Sequence, residues 1–191
     1  MILPVVAYGD PILRQVAEET WADYPGLEQL IDDMLETMYN AQGIGLAAPQ
    51  VGHSIRLFVI DSSQVKTSKE NLVVDPIKEV FINAKRITED GGLTDYEEGC
   101  LSIPGIREDI TRHEEITLEY FDRNWNKKKQ TFTGLNARVI QHEYDHIEGI
   151  LFTDRIKPLK RRLLRKRLTG ISRGDVDVAY KMRFPQKARP V

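Results

Sequence analysis

Two histidines four residues apart, with a glutamate directly after the first, stand in the segment Gln141-His142-Glu143-Tyr144-Asp145-His146. On a helix such residues lie one above the other, so both imidazoles can close on one metal ion. Glu143 is then placed beside the open side of that ion, where a carboxylate can act on water. The pattern reads as a metal hydrolase. The spacing has this meaning only on a helix, and the flanking residues support one. Leu135, Val139, Ile140 and Ile147 recur at helical intervals, no Pro interrupts them, and Gly134 and Gly149 bracket the run. Both histidines fall on or beside the apolar stripe, on the Val139 side. A buried imidazole without a partner is costly, and a metal would supply one.

A third ligand has to come from elsewhere. In proteases that extend the motif to a third His, that position is Phe152 here, which excludes the class. No Glu follows Glu148, and Asp175 and Asp177 remain as weaker oxygen donors downstream. Upstream stands Cys100, the single Cys of the chain, unable to form an internal disulfide and a good ligand as thiolate. Gly99 before it lets the backbone approach closely, and Pro104-Gly105 signals a turn after it. Structural zinc sites are closed by four protein ligands, whereas Cys100, His142 and His146 would leave a position for water.

Gln50 ends the segment Gly43-Ile44-Gly45-Leu46-Ala47-Ala48-Pro49-Gln50, which carries little side-chain volume. Such a backbone can run close to a peptide and pair with it as an added strand. It equally suits tight packing against the catalytic helix.

The elements that must position these residues are legible in outline. Leu27, Leu30, Ile31, Met34, Leu35 and Met38 give an amphipathic helix over residues 25–40, with the methionines as core filling. Strands are expected at residues 56–61, 79–84, 115–122 and 128–133, the last two joined through Arg123-Asn124-Trp125-Asn126, and residues 62–75 form a polar connection. In residues 155–168, Arg155, Lys157, Lys160, Arg161, Arg162, Arg165, Lys166 and Arg167 accompany Leu159, Leu163, Leu164 and Leu168, with no acid among them. This is a basic C-terminal helix docked by its apolar face, with ribosomal RNA contact as a second role. The fold expected is α+β, largely antiparallel strands wrapped around a central metal-binding helix, with an N-terminal helix and the basic C-terminal one. Residues 1–168 form one catalytic domain and 169–191 a partly disordered extension.

Composition agrees. At 191 residues, 41% apolar and a net charge of −2, the chain can bury a core and has no general affinity for nucleic acid. Neither a signal peptide nor a membrane-spanning run is visible, so a cytoplasmic location is expected, consistent with a free thiol.

Three segments, Gly43 to Gln50, Glu98-Gly99-Cys100-Leu101-Ser102 and Gln141 to His146, resemble in order the signature motifs of the peptide deformylases. Ile2-Leu3-Pro4 and Tyr8-Gly9-Asp10-Pro11-Ile12-Leu13 are similar to that family's N-terminus, and the likeness spans residues 1–168. The resemblance implies removal of the N-formyl group from the initiator methionine of new polypeptides, releasing formate. It implies Cys100, His142 and His146 as ligands of one iron(II) per chain, replaceable by zinc, nickel or cobalt in purified protein. Glu143 is the implied general base and the Gln50 amide the implied oxyanion donor. By the family's pattern Arg107 reaches the bound peptide and Glu98 supports the site through Arg112, while surface ion pairs would account for both residues as easily. Gly43, Ile44, Gly45, Gly99 and Val139 complete the expected substrate-binding set.

Hydrolysis of a formamide needs a strong nucleophile, charge stabilisation for the oxyanion and a proton for the leaving amine. A metal with an open position lowers the pKa of bound water from about 15.7 to near 7. Glu143 moves the proton, while the metal, the Gln50 amide and the Leu101 backbone N–H share the charge. An iron-bound thiolate is also open to oxidation. A metalloprotease and an RNA- or ribosome-binding module with incidental metal are the competing readings.

Overall fold

The computed structural model describes residues 1–65 and 75–185. A helix α1 (Leu27–Asn40) follows a short strand β1 (Val5–Val6) and a 3-10 turn at Pro11–Arg14. It begins two residues later than the apolar spacing predicts. Gly26 sits at φ +75°, a left-handed conformation that a right-handed helix cannot include. The α1 stripe of Leu27, Leu30, Ile31, Met34 and Met38 is buried against the sheet.

That sheet has five antiparallel strands in the order β2 (Gly45–Ala47), β3 (Leu57–Asp61), β4 (Lys78–Cys100), β5 (Ile103–Phe121), β6 (Lys127–Thr133). The architecture is the α+β arrangement expected, but β4 and β5 run much further than their apolar cores. Beyond Ala84 most of β4 is solvated, so no alternation marks it. What holds it is pairing with β5, interrupted by irregularities that bend the ribbon. The hairpin turn is Leu101-Ser102, closed by Cys100 opposite Ile103. Pro104 and Gly105 lie instead where β5 steps from Ile103 to Arg107 while β4 steps only from Cys100 to Gly99. A Pro without an N–H and a Gly at φ +72° suit that bulge rather than the turn.

Helix α2 (Gly134–Ile147) crosses the concave face of the sheet, and from Leu135 on only His142 among its residues is less than fully buried. Its apolar side packs on Phe58, Phe81, Tyr120 and Phe132. The Phe58–Phe81 and Phe81–Tyr120 ring centroids stand 4.6 and 4.5 Å apart. Burying an aromatic side chain of this size contributes roughly 2–3 kcal/mol. Gly149 ends the helix at φ +70°, and a Cβ there would lie 2.6 Å from the Arg14 carbonyl oxygen. The close approach lets the Ala17 N–H cap the Ile147 carbonyl at 2.8 Å.

A short helix α3 (Phe152–Arg155) leads into α4 (Pro158–Ser172), the basic helix, which buries Leu164, Leu168 and Ile171 and exposes Leu159 and Leu163. The boundary expected at residue 168 falls inside α4, and the chain then returns as β7 (Met182–Arg183), parallel to β1. Most of the polar connection at 62–75 and the last residues of the tail lie outside the described residues. Among the described residues, no helix is long and apolar enough to cross a membrane.

Candidate metal centre

α2 supplies both imidazoles from one face, and the β4–β5 turn brings Cys100 over them. One donor atom each from Cys100, His142 and His146 lies within 4.8 Å of the others. The Cys100 Sγ to His146 Nε2 distance is 3.3 Å. Bonds of about 2.0–2.3 Å at tetrahedral angles would set donors roughly 3.3–3.8 Å apart, so the cluster needs only a small adjustment to hold one ion. A thiolate with two imidazoles fits a borderline divalent metal, and the structure fits that group. Asp175 and Asp177, the alternative oxygen donors, are exposed and outside the cluster.

The orientation of His142 is fixed from behind. Its Nδ1 is 3.0 Å from Glu98 Oε2, which leaves Nε2 for the metal side. Glu98 in turn takes Arg112 as a two-pronged partner at 2.7 and 2.9 Å and Arg138 at 2.9 Å. Arg112 also reaches Asp145 at 2.8 Å, and Asp145 is held by Arg155 of α3. Burial alone would push the Glu98 carboxyl up, but His142 and Arg112 outweigh it and hold it well below its ordinary range. Burial drives His146 down, assisted by the His142 and Arg112 charges, whereas at His142 the burial is outweighed by hydrogen bonds to Cys100 and Glu98, which raise that ring.

Glu143 is 4% exposed, and among the described residues its Oε2 has no hydrogen-bond partner. Burial raises its carboxyl to about 7, against the pull of His142 and Arg112. The carboxylate lies hard against β2. A Cβ on Gly45 would come within 2.5 Å of Glu143 Oε1, so the small residue is required for this carboxylate to sit where it does. Gln50, 1% exposed, is on the 3-10 turn after β2. Its Oε1 accepts the Ala47 N–H at 2.8 Å, which turns Nε2 toward Cys100 Sγ and Ser102 Oγ, each at 3.4 Å.

A cavity of about 650 Å³ opens over this cluster. Gly43, Ile44 and Gly45 form one wall, Glu98 to Leu101 and Arg107 another, and Val139, His142 and Glu143 the floor. Every residue predicted for the site lines it except His146, which sits behind Cys100. Arg107, opposite Gly99 on β5, is exposed and paired with Glu97 at 2.8 Å.

The family model described as Polypeptide deformylase matches residues 2–162 of this chain. The chain belongs to that family. A peptide deformylase of Christiangramia forsetii is 53% identical, the match covering 99% of this chain and 100% of that one. A crystal structure of a peptide deformylase from Legionella pneumophila superposes with a TM-score of 0.79 at 37% identity, covering 92% of this chain and 98% of that one. A Synechococcus elongatus peptide deformylase, solved with actinonin, gives 0.74 at 42% identity, covering 86% and 85%. This chain is accordingly an enzyme of the deformylase family, as the three motifs implied.

Two features of this deformylase escaped the sequence reading. Asp145 lies inside the helix motif, and only its burial between Arg112 and Arg155 shows its part. Val178 and Tyr180 line the cavity from the tail. The signal was present as Val176, Val178, Tyr180, an alternation of two that reads as a strand.

Proposed function

We propose that this chain hydrolyses the N-formyl group of N-terminal formylmethionine on newly made polypeptides, using Cys100, His142 and His146 as ligands of one metal ion. The observation that carries the reading is the convergence of those three donors, an unpartnered Glu143 carboxylate and the Gln50 amide in one cavity of a chain of this family. A metal bound there would polarise the formyl oxygen and acidify water toward neutrality. Glu143 accepts the proton of the attacking water and passes it to the departing amine nitrogen, so that formamide and water become formate and amine. Gln50 Nε2 and the Leu101 N–H share the oxyanion charge.

The peptide is held by backbone. β2 pairs only with β3 among the described strands, and the Gly43–Gly45 approach to that edge can take an extended substrate as a further strand. Gly99 and Val139 shape the cavity, and Arg107 exchanges Glu97 for the substrate.

Formate release from formyl-Met-Ala-Ser by the metal-loaded protein tests the reading. Cleavage of internal peptide bonds without formate release would favour a metalloprotease instead. In the same assay Gln50→Ala is expected to lower kcat by roughly 10²–10³, the worth of one oxyanion donor, and to cost about 1–3 kcal/mol of stability because the buried Ala47 N–H loses its acceptor.

Iron(II) is the metal proposed for the cell on the family resemblance alone, since the thiolate and imidazole donors suit zinc, nickel or cobalt as well and by affinity favour zinc or nickel. The cytoplasm is the proposed location. The basic face of α4 is the proposed ribosome contact. Salt-sensitive binding to ribosomes, weakened by neutralising Arg161, Arg162 and Arg165, is the outcome expected in co-sedimentation, and binding indifferent to both salt and charge is the opposite one.

A further inference from the structure

The tail alternates strictly over residues 176–184. Val176, Val178, Tyr180, Met182 and Phe184 turn inward, while Asp177, Ala179, Lys181 and Arg183 are exposed. Such a period marks an extended segment packed on one face. β7 is its paired part, fastened by the Val5 N–H to the Lys181 carbonyl at 2.9 Å and the Ala7 N–H to the Arg183 carbonyl at 2.8 Å. Arg183 lies across Gly52, where a Cβ would meet its guanidinium at 2.8 Å.

Val176, Met182 and Phe184 pack on the core, but Val178 and Tyr180 line the substrate cavity beside Cys100 and Leu101. The Tyr180 hydroxyl donates to the Leu101 carbonyl at 2.8 Å. The next carbonyl, that of Ser102, accepts the Tyr8 N–H at 2.8 Å. The two-residue turn that carries one proposed oxyanion donor is thus held by the tail on one side and the N-terminal segment on the other. The match to the family model ends at residue 162, so this wall lies beyond the residues it covers.

We infer that the tail completes the substrate site: Val178 and Tyr180 form a wall against which the peptide portion of the formylated substrate packs, and Tyr180 is a positioning residue whose hydroxyl fixes the Leu101-Ser102 turn. The inference rests on the deformylase reading of the cavity. An oxyanion donor works only when it is held in place before the charge develops, and on the Leu101 side of the turn that hold is the Tyr180 hydroxyl. A ring and a branched side chain on a strand paired at its far end give the cavity a wall that is rigid rather than a loose flap.

The test uses the full-length, nickel-loaded protein, formate release from formyl-Met-Ala-Ser, and amide hydrogen exchange at the turn. Tyr180→Phe keeps the wall and removes the hydroxyl. It is expected to lower kcat about fivefold, the worth of one hydrogen bond, with KM within twofold and faster exchange at Leu101 and Ser102. Val178→Ala and Tyr180→Ala are expected to raise KM several-fold, because they remove apolar surface from the wall. A purely structural tail would not split the two parameters. Loss of kcat in all three variants only in proportion to unfolded protein overturns the inference, as do Tyr180→Phe kinetics and exchange indistinguishable from wild type. Should the wild type release no formate, the deformylase reading fails, and the exchange arm alone decides whether Tyr180 positions the turn.

Discussion

Glu143→Ala is expected to lower kcat for formate release by about 10³ while leaving one metal ion per chain. A positioned general acid–base contributes roughly 10²–10⁴, and Glu143 is placed to supply all of it. Its Oε2 is buried without a protein partner, it packs against the Cβ-less Gly45, and burial brings its carboxyl to about 7, where it can both take and return a proton near neutrality. None of the three donor atoms of the metal cluster belongs to it, so truncation removes chemistry and spares the ligands. Assay of kcat beside metal analysis decides the matter. A variant that keeps a tenth or more of wild-type kcat, or that loses its metal, is incompatible with this role.

Glu98→Gln carries the largest expected effect on stability. The carboxylate faces Arg112 and Arg138 and His142 Nδ1, all in the interior, with the Arg112 side chain 1% exposed. Neutralising one partner of such a group leaves guanidinium charge uncompensated at a cost of about 3–5 kcal/mol. It also frees His142 to rotate, which should weaken metal binding about 10–100-fold. Since its partners hold Glu98 far below the ordinary value of 4.5, its contribution is complete above that pH and is lost only as pH falls well under it. The difference in urea midpoint between wild type and variant should therefore be level from pH 5 to 8 and close only in strong acid. A gap under 1 kcal/mol at pH 7, or one that grows on acidification, contradicts the network.

The residues proposed to do the chemistry were more legible in the sequence than the elements that carry them. His142, Glu143 and His146 announce themselves because a metal needs donors at helical spacing, and Cys100 because it is the only thiol. The outer length of β4 did not, since a stretch solvated on both faces has no apolar period, and pairing with β5 holds it instead. Pro104-Gly105 reads as a turn in the sequence because turns and bulges alike tolerate a Pro without an N–H and favour Gly at positive φ. The tail was obscured in another way: residues 176–184 alternate as clearly as any strand, but the pattern is short and follows a helix dominated by charge. Glu98 and Arg112 were paired from the family's pattern, whereas Arg138, Asp145 and Arg155 joined them only in three dimensions, because charge on a sequence does not say which side of a helix is buried.

X-ray absorption on zinc-loaded protein, before and after Cys100→Ser, tests the central arrangement most directly. The account predicts one ion per chain with one sulfur and two imidazole nitrogens in its inner shell, and loss of the sulfur signal together with most of the metal in the variant. A shell without sulfur, or a variant that binds zinc with the stoichiometry and spectrum of the wild type, would contradict it.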